Sequence, residues 1–512
     1  MKAAIAARNL TATSALLGGA YFYQTDDSVN RTLRFYSVAV PAYVHYELTD
    51  RFSQNLPAAE RDRLFNNLHE KYSAILHSHV LKMRGFFLKA AQLMSIREDY
   101  LPPQYLEWTT KMQSEAPVVF SPEEAKKIIE KEFPGQNIWD EIFSDFCPIP
   151  VGSASIGQVY KARLRSTNEW VAIKVQSPNV ESQFRADLKA CKAFCRIALP
   201  HLVVSLEEIE RQFLTEFDYQ LEAKNLNEIR NNLLPEWSDK VVVPRPFLDL
   251  CTKRVLVMEF VEGRKVSEIF NEYIEQLAER KQVNVREMKS LLRDQLMKQG
   301  LSHTEWRKWS DQILKIGASL LSVVSFGAYR PPKIFDAVSL LETAMAVHGH
   351  QIFRNRTFNG DPHPGNILLT PDGKLGLIDF GQVKRLPEEI TAKFAKLVIA
   401  LNDDDRDTVC RIASEIGCEN EKNIPDVVWR LTAFWMDRDT PDVTLGMDIH
   451  KFLEEMERLD PQKKLCQDLV MVGRCSVMLR SLGLSLGLRV RTSDYWRPYA
   501  EEYLAKRIIS NS

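Results

Sequence analysis

The chain has 512 residues, of which 45% are hydrophobic and 26% are charged, and this is enough for a large core and more than one domain. Its 67 lysines and arginines balance 68 aspartates and glutamates, so nothing indicates the basic face of a nucleic-acid-binding protein. The eight cysteines include no CxxC pair, so the sequence indicates neither a zinc site nor a redox motif, and it favours reduced, buried thiols.

The N-terminal segment contains no acidic residue. Within residues 1–25 the charged residues are Lys2 and Arg8, and alanine, serine and threonine are frequent. This composition is typical of a mitochondrial presequence, so we expect a mitochondrial protein that associates with the inner membrane. A membrane anchor and a frayed terminus are the alternatives, and the apolar stretch 15–23 is too short to span a bilayer alone.

The segment from about 50 to 133 is predicted to be helical. Apolar residues recur there at helical spacing. Ser121 is followed by Pro122 and, three positions after the cap, by Glu124. This pattern predicts that a helix begins at that point.

A β-rich unit is predicted next. The runs 158–164 and 170–176 are separated by a polar turn and predict a hairpin. Residues 207–228 return to helical spacing, and the runs 241–243 and 255–260 again resemble strands.

The remaining chain is predicted to be mainly helical. The runs 368–370 and 375–379 flank the turn triplet Pro371-Asp372-Gly373, which predicts one more hairpin. Everything after Pro387 is predicted to be helical. Many folds have this order of elements, so the motifs must decide between them.

The first motif is the hexapeptide Gly152-Ser153-Ala154-Ser155-Ile156-Gly157. Its spacing follows the kinase glycine loop, in which glycines let backbone N–H groups approach phosphates, although Ala154 replaces the middle glycine. A plain turn explains the pattern equally well when it is taken alone. Lys174 on the following strand strengthens the nucleotide interpretation, because a kinase lysine at this place contacts the α- and β-phosphates.

The strongest signal is Asp361-Pro362-His363-Pro364-Gly365-Asn366, followed by Asp379-Phe380-Gly381. Asp361 and Asn366 have the D-x-x-x-x-N spacing of a kinase catalytic loop. The predicted hairpin after Asn366 returns Asp379 to its side, so that two oxygen ligands converge on Mg²⁺ bound with the phosphates of ATP. We expect Asp361 to accept a proton from the attacking group or to orient that group.

These motifs resemble the UbiB family of atypical kinases. The segment Glu216–Asn225 resembles the family's E-x-D-Y-x-x-E-A-x-N helix, and Lys89–Gln92 resembles its K-x-G-Q motif. The segment Met258–Gly263 resembles the hinge that holds adenine, with Glu259 and Val261 as the expected contacts. The resemblance extends from about residue 60 to the end. Among subfamilies, the chain most resembles a mitochondrial branch of aarF-domain-containing kinases that is distinct from the best-known coenzyme Q member.

The resemblance implies an α+β, two-lobed protein-kinase-like fold with an N-terminal helical extension and a helical C-terminal region. It also implies that Lys89 and Gln92 fold over the active site, where a protein substrate would otherwise lie. The expected organisation is a targeting segment or membrane anchor, a helical extension, an N-lobe, a C-lobe and a C-terminal helical region, at 1–50, 51–145, 146–262, 263–400 and 401–512.

Two glutamates are candidates for ion pairs with the lysines. Glu216 and Glu222 are separated by a multiple of three positions, so we expect them on one helix face. We favour Glu222 as the partner of Lys174, and either Glu216 or Asp218 as the partner of Lys89. A solvated acidic helix is the alternative.

Three features depart from the family pattern. Ala91 replaces the glycine of K-x-G-Q, and Asn359 stands where a histidine is frequent. The distance from hinge to catalytic loop is long because of an insertion at about 272–335. This insertion is interpreted either as a docking element for a membrane or partner, or as an ordinary surface helical pair.

The expected function is that of an ATP- and Mg²⁺-binding atypical kinase or ATPase that supports mitochondrial lipid or quinone metabolism. Its expected partners are ATP or ADP, a lipid or quinone-like small molecule and a membrane surface. No long activation loop follows Gly381, which disfavours an ordinary Ser/Thr protein kinase. The alternatives are a pseudokinase scaffold that binds nucleotide as a switch, and an aminoglycoside-phosphotransferase-like enzyme, which the 89–92 and 216–225 motifs disfavour.

Overall fold

The computed structural model describes residues 27–95, 102–114, 120–153, 156–203, 206–207, 210, 213–285, 287–288, 291, 337–447, 449–464, 466–485 and 488–511. The acid-free segment, Ala154, Ser155 and most of the 272–335 insertion lie outside the described residues. Within the described ranges, no helix has the length and apolar character that crossing a membrane requires. All eight cysteines are free thiols.

The chain divides into two compact units, which are described separately. Unit 1 takes its described residues from 1–168, 173–218 and 253–255. Unit 2 takes them from 169–172, 219–252 and 256–512.

Unit 1 opens with helices, and those between residues 58 and 132 lie in the segment that the sequence predicts to be helical. They are α1 (Asp27–Ser53), α2 (Ala58–Met83), α3 (Gly85–Ser95), α4 (Pro103–Ser114), α5 (Pro122–Glu132) and α6 (Ile138–Glu141). The predicted start of α5 is confirmed, because Ser121 and Glu124 form a complete capping box. A sharp turn separates α2 from α3, where Arg84 and Gly85 both have positive φ angles.

The predicted hairpin of unit 1 is also confirmed. The strands are β1 (Phe143–Phe146), β2 (Gly152–Ser153), β3 (Gly157–Leu164) and β4 (Trp170–Gln176), and β2 and β1 both pair with β3 in the antiparallel direction. Helix α7 (Val180–Ala198) follows, and Leu214–Phe217 forms a short 3-10 helix.

The helix predicted over 207–228 is interrupted at Asp218. This residue has extended dihedral angles (φ −120°, ψ 92°) between the 3-10 helix and α8 (Tyr219–Trp237). The Phe217 carbonyl accepts a hydrogen bond from the Gln176 side chain at 3.2 Å rather than continuing a helical ladder. The prediction that Glu216 and Glu222 share one helix face is therefore wrong.

Unit 2 contains the remaining strands of the β-rich region. They are β5 (Val241–Val242), β6 (Val255–Glu259) and β7 (Arg264–Lys265), and helices α9 (Val266–Lys281) and α10 (Ala337–His350) follow. In unit 1, the strands of the first sheet have the order β1-β3-β4. In unit 2, the Phe260 N–H donates to the Trp170 carbonyl at 3.0 Å, which aligns the end of β6.

The strands around the catalytic-loop motif form two small sheets. They are β8 (Thr357–Asn359), β9 (Ile367–Leu369), β10 (Leu375–Leu377) and β11 (Val383–Arg385). One sheet has the order β5-β10-β9-β7, and the other pairs β11 with β8. The predicted 368–379 hairpin is confirmed as β9 and β10, with Gly373 at φ +86° in its turn.

The C-terminal region is mainly helical. It contains α11 (Glu388–Asn402), α12 (Arg406–Glu415), α13 (Pro425–Met436), α14 (Pro441–Thr444), α15 (Ile449–Leu459), α16 (Gln467–Ser485) and α17 (Thr492–Asn511). The prediction of helix throughout is wrong at one place, because β12 (Glu419–Asn420) pairs with β13 (Gln462–Lys464). The Asp460 carboxylate accepts the Lys422 and Ile424 N–H groups, both at 2.7 Å, and so stabilises a turn instead of a helix.

The core of unit 2 fixes the segment that leads into β8. Phe353 stacks on Phe394 with ring centroids 5.5 Å apart, and Phe394 in turn meets the edge of Trp496. The Trp496 indole N–H donates to the Met345 carbonyl at 3.0 Å. These contacts join α10, α11 and α17, so the chain enters β8 from a rigid base.

Candidate active site

The catalytic-loop motif begins where β8 ends. β8 and β11 pair with Asn359 opposite Val383, and the Gly360 N–H donates to the Gln382 carbonyl at 2.7 Å. A Cβ atom at Gly360 would lie 3.2 Å from that carbonyl oxygen and 2.8 Å from the Met471 methyl group. Glycine at this position therefore lets the loop approach the strand that follows Asp379-Phe380-Gly381.

The β9–β10 hairpin brings the second motif back to the first. Ile367 pairs with Leu377, and the Ile378 N–H donates to the Asn366 carbonyl at 3.3 Å. Asn366 directly precedes β9 and Asp379 directly follows Ile378. The hairpin register therefore places these two residues side by side, as the spacing of the motifs requires.

The side chain of Asn359 links the two motifs. Its Oδ1 accepts the Asp361 N–H and its Nδ2 donates to the Asp379 carbonyl, both at 2.9 Å. Its own backbone N–H donates to Gln351 Oε1 at 2.8 Å, and Asn359 is buried. An amide can donate and accept at once, so this departure from the family pattern has a structural role that the sequence did not reveal.

Arg474 contacts the carboxylate of Asp361. Arg474 lies in α16, and its Nη2 is 3.0 Å from Asp361 Oδ1 while its Nη1 is 2.7 Å from Gln382 Oε1. The two charged side chains are only 17% and 16% exposed, so water screens their attraction less than at a surface. The sequence did not reveal Arg474 as a functional residue, because an arginine inside a helical stretch belongs to no motif.

Asn366 and Asp379 offer the oxygen donors that Mg²⁺ prefers. Both residues are partly buried, and Asp379 Oδ1 accepts the Gly381 N–H at 3.1 Å, which orients its carboxylate. An amide oxygen and a carboxylate oxygen fit a magnesium ion that is completed by phosphate oxygens and water. These residues therefore fit the group that the motifs imply.

Helix α8 contacts the Asp379-Phe380-Gly381 motif through its Asn225 side chain. The buried Asn225 side chain donates to the Phe380 carbonyl at 3.4 Å and accepts from Arg385 Nη2 at 3.3 Å. Glu222 is also buried, at 3% exposure. The contacts of Asn225 give the last residue of the helical motif a role as a support of Asp379-Phe380-Gly381.

The hinge residues differ in their surroundings. The Glu259 side chain is exposed, and it accepts the Arg245 N–H at 3.2 Å. Val261 is partly buried, with a methyl group 3.3 Å from where a Cβ of Gly376 would lie. Among the described residues, no hydrogen-bond acceptor meets the Val261 N–H, which suits a backbone donor to adenine.

Unit 1 brings together the lysine of the helical extension and one candidate glutamate. Lys89 Nζ lies 3.1 Å from Glu216 Oε1 and 4.6 Å from the centre of the Phe213 ring. The two charged side chains are 14% and 11% exposed. Of the two partners expected for Lys89, the structure places Glu216 in contact with it.

The other predicted residues of unit 1 have these positions. The Gln92 amide donates to the Met112 carbonyl at 2.8 Å, within the extension. Gly152 pairs with Val159 at the start of the glycine loop, and Gly157 begins β3. Lys174 is buried on β4, with 7% exposure. Its pairing with a glutamate stays a prediction, as do the roles of Ala154 and Ser155.

Comparison with known proteins points to one family. A family profile described as the ABC1 atypical kinase-like domain matches residues 111–333 and 328–413, well over half of the chain. The chain is 31% identical to Protein ACTIVITY OF BC1 COMPLEX KINASE 3, chloroplastic, of Arabidopsis thaliana, over 64% of this chain and 38% of that protein. It is 28% identical to an uncharacterized aarF domain-containing protein kinase, chloroplastic, of the same plant, over 86% and 54%.

A bacterial relative is similar over most of the chain. It is named "Probable protein kinase UbiB", comes from Aliivibrio fischeri (strain MJ11), and is 24% identical over 82% of this chain and 69% of its own length. The two plant relatives are longer, and the chain spans only 38% and 54% of their lengths.

Proposed function

Since the chain belongs to the ABC1 atypical kinase-like family, with an atypical protein-kinase-like fold and relatives named as UbiB and aarF domain-containing kinases, we propose that it binds ATP with Mg²⁺ and acts on the γ-phosphate as an atypical kinase or ATPase. The observation that carries the proposal is the linkage of Asp361, Asn366 and Asp379 through the β9–β10 hairpin and the Asn359 side chain. This linkage holds a proton acceptor beside two metal-ligand candidates.

Each residue then has a role. Asn366 and Asp379 would hold Mg²⁺, which would neutralise phosphate charge. Asp361 accepts a proton from the attacking hydroxyl group or water, and Lys174 binds the α- and β-phosphates. The Val261 N–H donates to adenine, while the glycine-loop backbone covers the phosphates.

We propose mitochondrial lipid or quinone metabolism, at the inner membrane, as the context of this activity. The support is the acid-free composition of residues 1–25 and the short connection after Gly381, because α11 already begins at Glu388 and leaves no activation loop to seat a peptide. Residues 1–40 fused to a fluorescent reporter should locate to mitochondria. A diffuse cytosolic signal would contradict the location.

A nucleotide switch without turnover is the second candidate. The observation that favours it is the ion pair of Arg474 with Asp361, because this contact occupies one oxygen of the carboxylate that turnover requires as proton acceptor. Measuring phosphate release from ATP alongside binding separates the two candidates.

The test combines thermal unfolding with ATP turnover. ATP with Mg²⁺ should stabilise the wild-type protein, as any ligand selective for the folded state does, and phosphate should be released. D379N should lose the Mg²⁺-dependent part of the stabilisation. The matched control is D372N, an exposed aspartate in the turn of the same hairpin, which should behave as the wild type. An equal response of D379N and the wild type would refute the metal assignment.

A further inference from the structure

The catalytic-loop aspartate is held by a helix outside the kinase-like match. The family profile ends at residue 413, whereas Arg474 lies in α16, at 467–485. The guanidinium group is planar and can reach two acceptors at once, and here it contacts Asp361 Oδ1 and Gln382 Oε1. A lysine could not reproduce both contacts with one ammonium group.

The contact is selective between the two carboxylate oxygens of Asp361. Oδ1 accepts from Arg474, whereas among the described residues no donor meets Oδ2. The Asp361 backbone is fixed independently, since its N–H donates to Asn359 and its carbonyl accepts from His363. With the backbone and Oδ1 both fixed, the direction of Oδ2 is set as well.

The second contact of Arg474 ties the loop to the chain after Asp379-Phe380-Gly381. The Gln382 side chain accepts from Arg474 and its backbone carbonyl accepts from Gly360. Gln382 is buried, at 4% exposure. Arg474 therefore links Asp361 to Gln382, the residue after Asp379-Phe380-Gly381, through side chains. This link is additional to the one through Asn359.

Helix α16 is itself anchored around Arg474. Asp468 is 2.8 Å from Lys384 Nζ in β11, and the Cys475 thiol donates to the Asn359 carbonyl at 3.4 Å. Further along, Arg480 Nη2 donates to the Phe434 carbonyl in α13 at 2.6 Å. These contacts on both sides of Arg474 limit its movement, which is what a preorganised site requires.

We infer that Arg474 is a positioning residue for phosphoryl transfer: it binds Oδ1 of Asp361 and thereby directs Oδ2 toward the attacking group. The inference rests on the proposed function, and it adds a residue that neither the motifs nor the family profile contains. The role is orientation, so removal of Arg474 should affect the rate of the chemical step more than the binding of ATP.

The experiment measures ATP turnover and ATP affinity in the full-length protein. R474M should lower kcat on the order of 10- to 100-fold, while KM for ATP and the melting shift with ATP and Mg²⁺ stay within about twofold of the wild-type values. R474K should recover part of kcat, because it keeps the charge but reaches only one acceptor. The double variant D361N/R474M should be no slower than D361N, because the two residues act as a unit.

The matched control is R458M in the same C-terminal region. Arg458 is 68% exposed and pairs with Glu455 on its own helix, so its loss should leave turnover unchanged. R474M that melts normally and turns over as fast as the wild type would overturn the positioning role alone. If R474M has a lower melting temperature than the wild type, the test uses R474K instead. A kcat of R474K equal to that of R458M would then overturn the positioning role. A wild-type protein that consumes no ATP would overturn the proposed function and the role together.

Discussion

Two ion pairs of nearly equal geometry lie in the two units. Lys89 and Glu216 in unit 1 are 3.1 Å apart, and Arg474 and Asp361 in unit 2 are 3.0 Å apart. Their exposed fractions are also close, between 11% and 17%. The distances alone would assign both pairs the same electrostatic strength.

The cations differ in what they fix. The Lys89 ammonium group is a point charge that meets one carboxylate and the face of Phe213. The Arg474 guanidinium group meets two oxygen acceptors in a fixed plane. Equal distances therefore do not imply equal roles, because one ammonium group restrains position alone, whereas a planar guanidinium group with two acceptors also restrains orientation.

The largest effect is expected from breaking the unit 2 pair at its acidic end. D361N removes the proton acceptor and should lower ATP turnover on the order of 10²- to 10⁴-fold with Arg474 still present. Steady-state phosphate release measures it, and the melting temperature controls for folding. Turnover within about tenfold of the wild type would assign proton transfer to another group.

The next effect is the pH dependence of stability, which tests the buried helix α10 of unit 2. His348, at the end of α10, is fully buried, and its burial lowers its pKa to about 4. The unfolded pKa is about 6.5, so the unfolded state binds more protons between these values and stability falls as pH decreases from about 6.5 towards 4.

The expected loss is about 2–3 kcal/mol by pH 4, and urea unfolding at pH 7 and pH 4.5 measures most of it. H348Q, which cannot take up the proton, should flatten this dependence. Some slope should remain, because burial also lowers the pKa values of His69 and His79 in unit 1. An identical slope in H348Q and the wild type would contradict the assignment.

A smaller effect is expected from breaking the unit 1 pair. K89A leaves Glu216 partly buried without this partner and should lower the free energy of unfolding by about 1–2 kcal/mol. Because the extension is expected to restrain the active site, K89A should also change the preference between ATP and ADP or increase phosphorylation in cis.

The control for K89A is R185A, which breaks an exposed pair with Glu181 in the same unit and should change stability by less than about 0.5 kcal/mol. Unchanged nucleotide preference and cis phosphorylation in K89A, together with a normal melting temperature, would make the extension a structural cover only.

The smallest effect is expected at the glycine loop. A154G restores backbone freedom worth about 0.5–1 kcal/mol, so ATP affinity should change by about two- to fivefold. Titration of ATP into both proteins measures it. No change in affinity would mean that the alanine does not limit the loop.

The sequence predicted those parts of the site that depend on short-range spacing. The β9–β10 hairpin, the capping box at Ser121 and the neighbourhood of Asn366 and Asp379 all follow from local patterns. The sequence did not predict the extended Asp218, because the interruption depends on a hydrogen bond from distant Gln176. Local patterns cannot report such tertiary competition.

The contacts of Arg474 and Asn225 also could not be predicted from the sequence. Arg474 is 113 positions from Asp361, and Asn225 is 155 positions from Phe380. Arg474 lies in an ordinary helical stretch and Asn225 ends a recognised motif, but in both cases only the fold determines which helix faces the loop. Lys89 was predicted as a charged partner because both it and Glu216 fall within recognisable motifs.

The position of Arg474 has a consequence for how genomes are surveyed for active members of this family. A search that ends with the matched domain reads residues up to 413 and scores Asp361, Asn366 and Asp379 as a complete set. It would score a chain without the arginine of α16 in the same way. Under the positioning role proposed for Arg474, counting active enzymes requires reading positions 361, 382 and 474 together, as one signature that extends across the domain boundary.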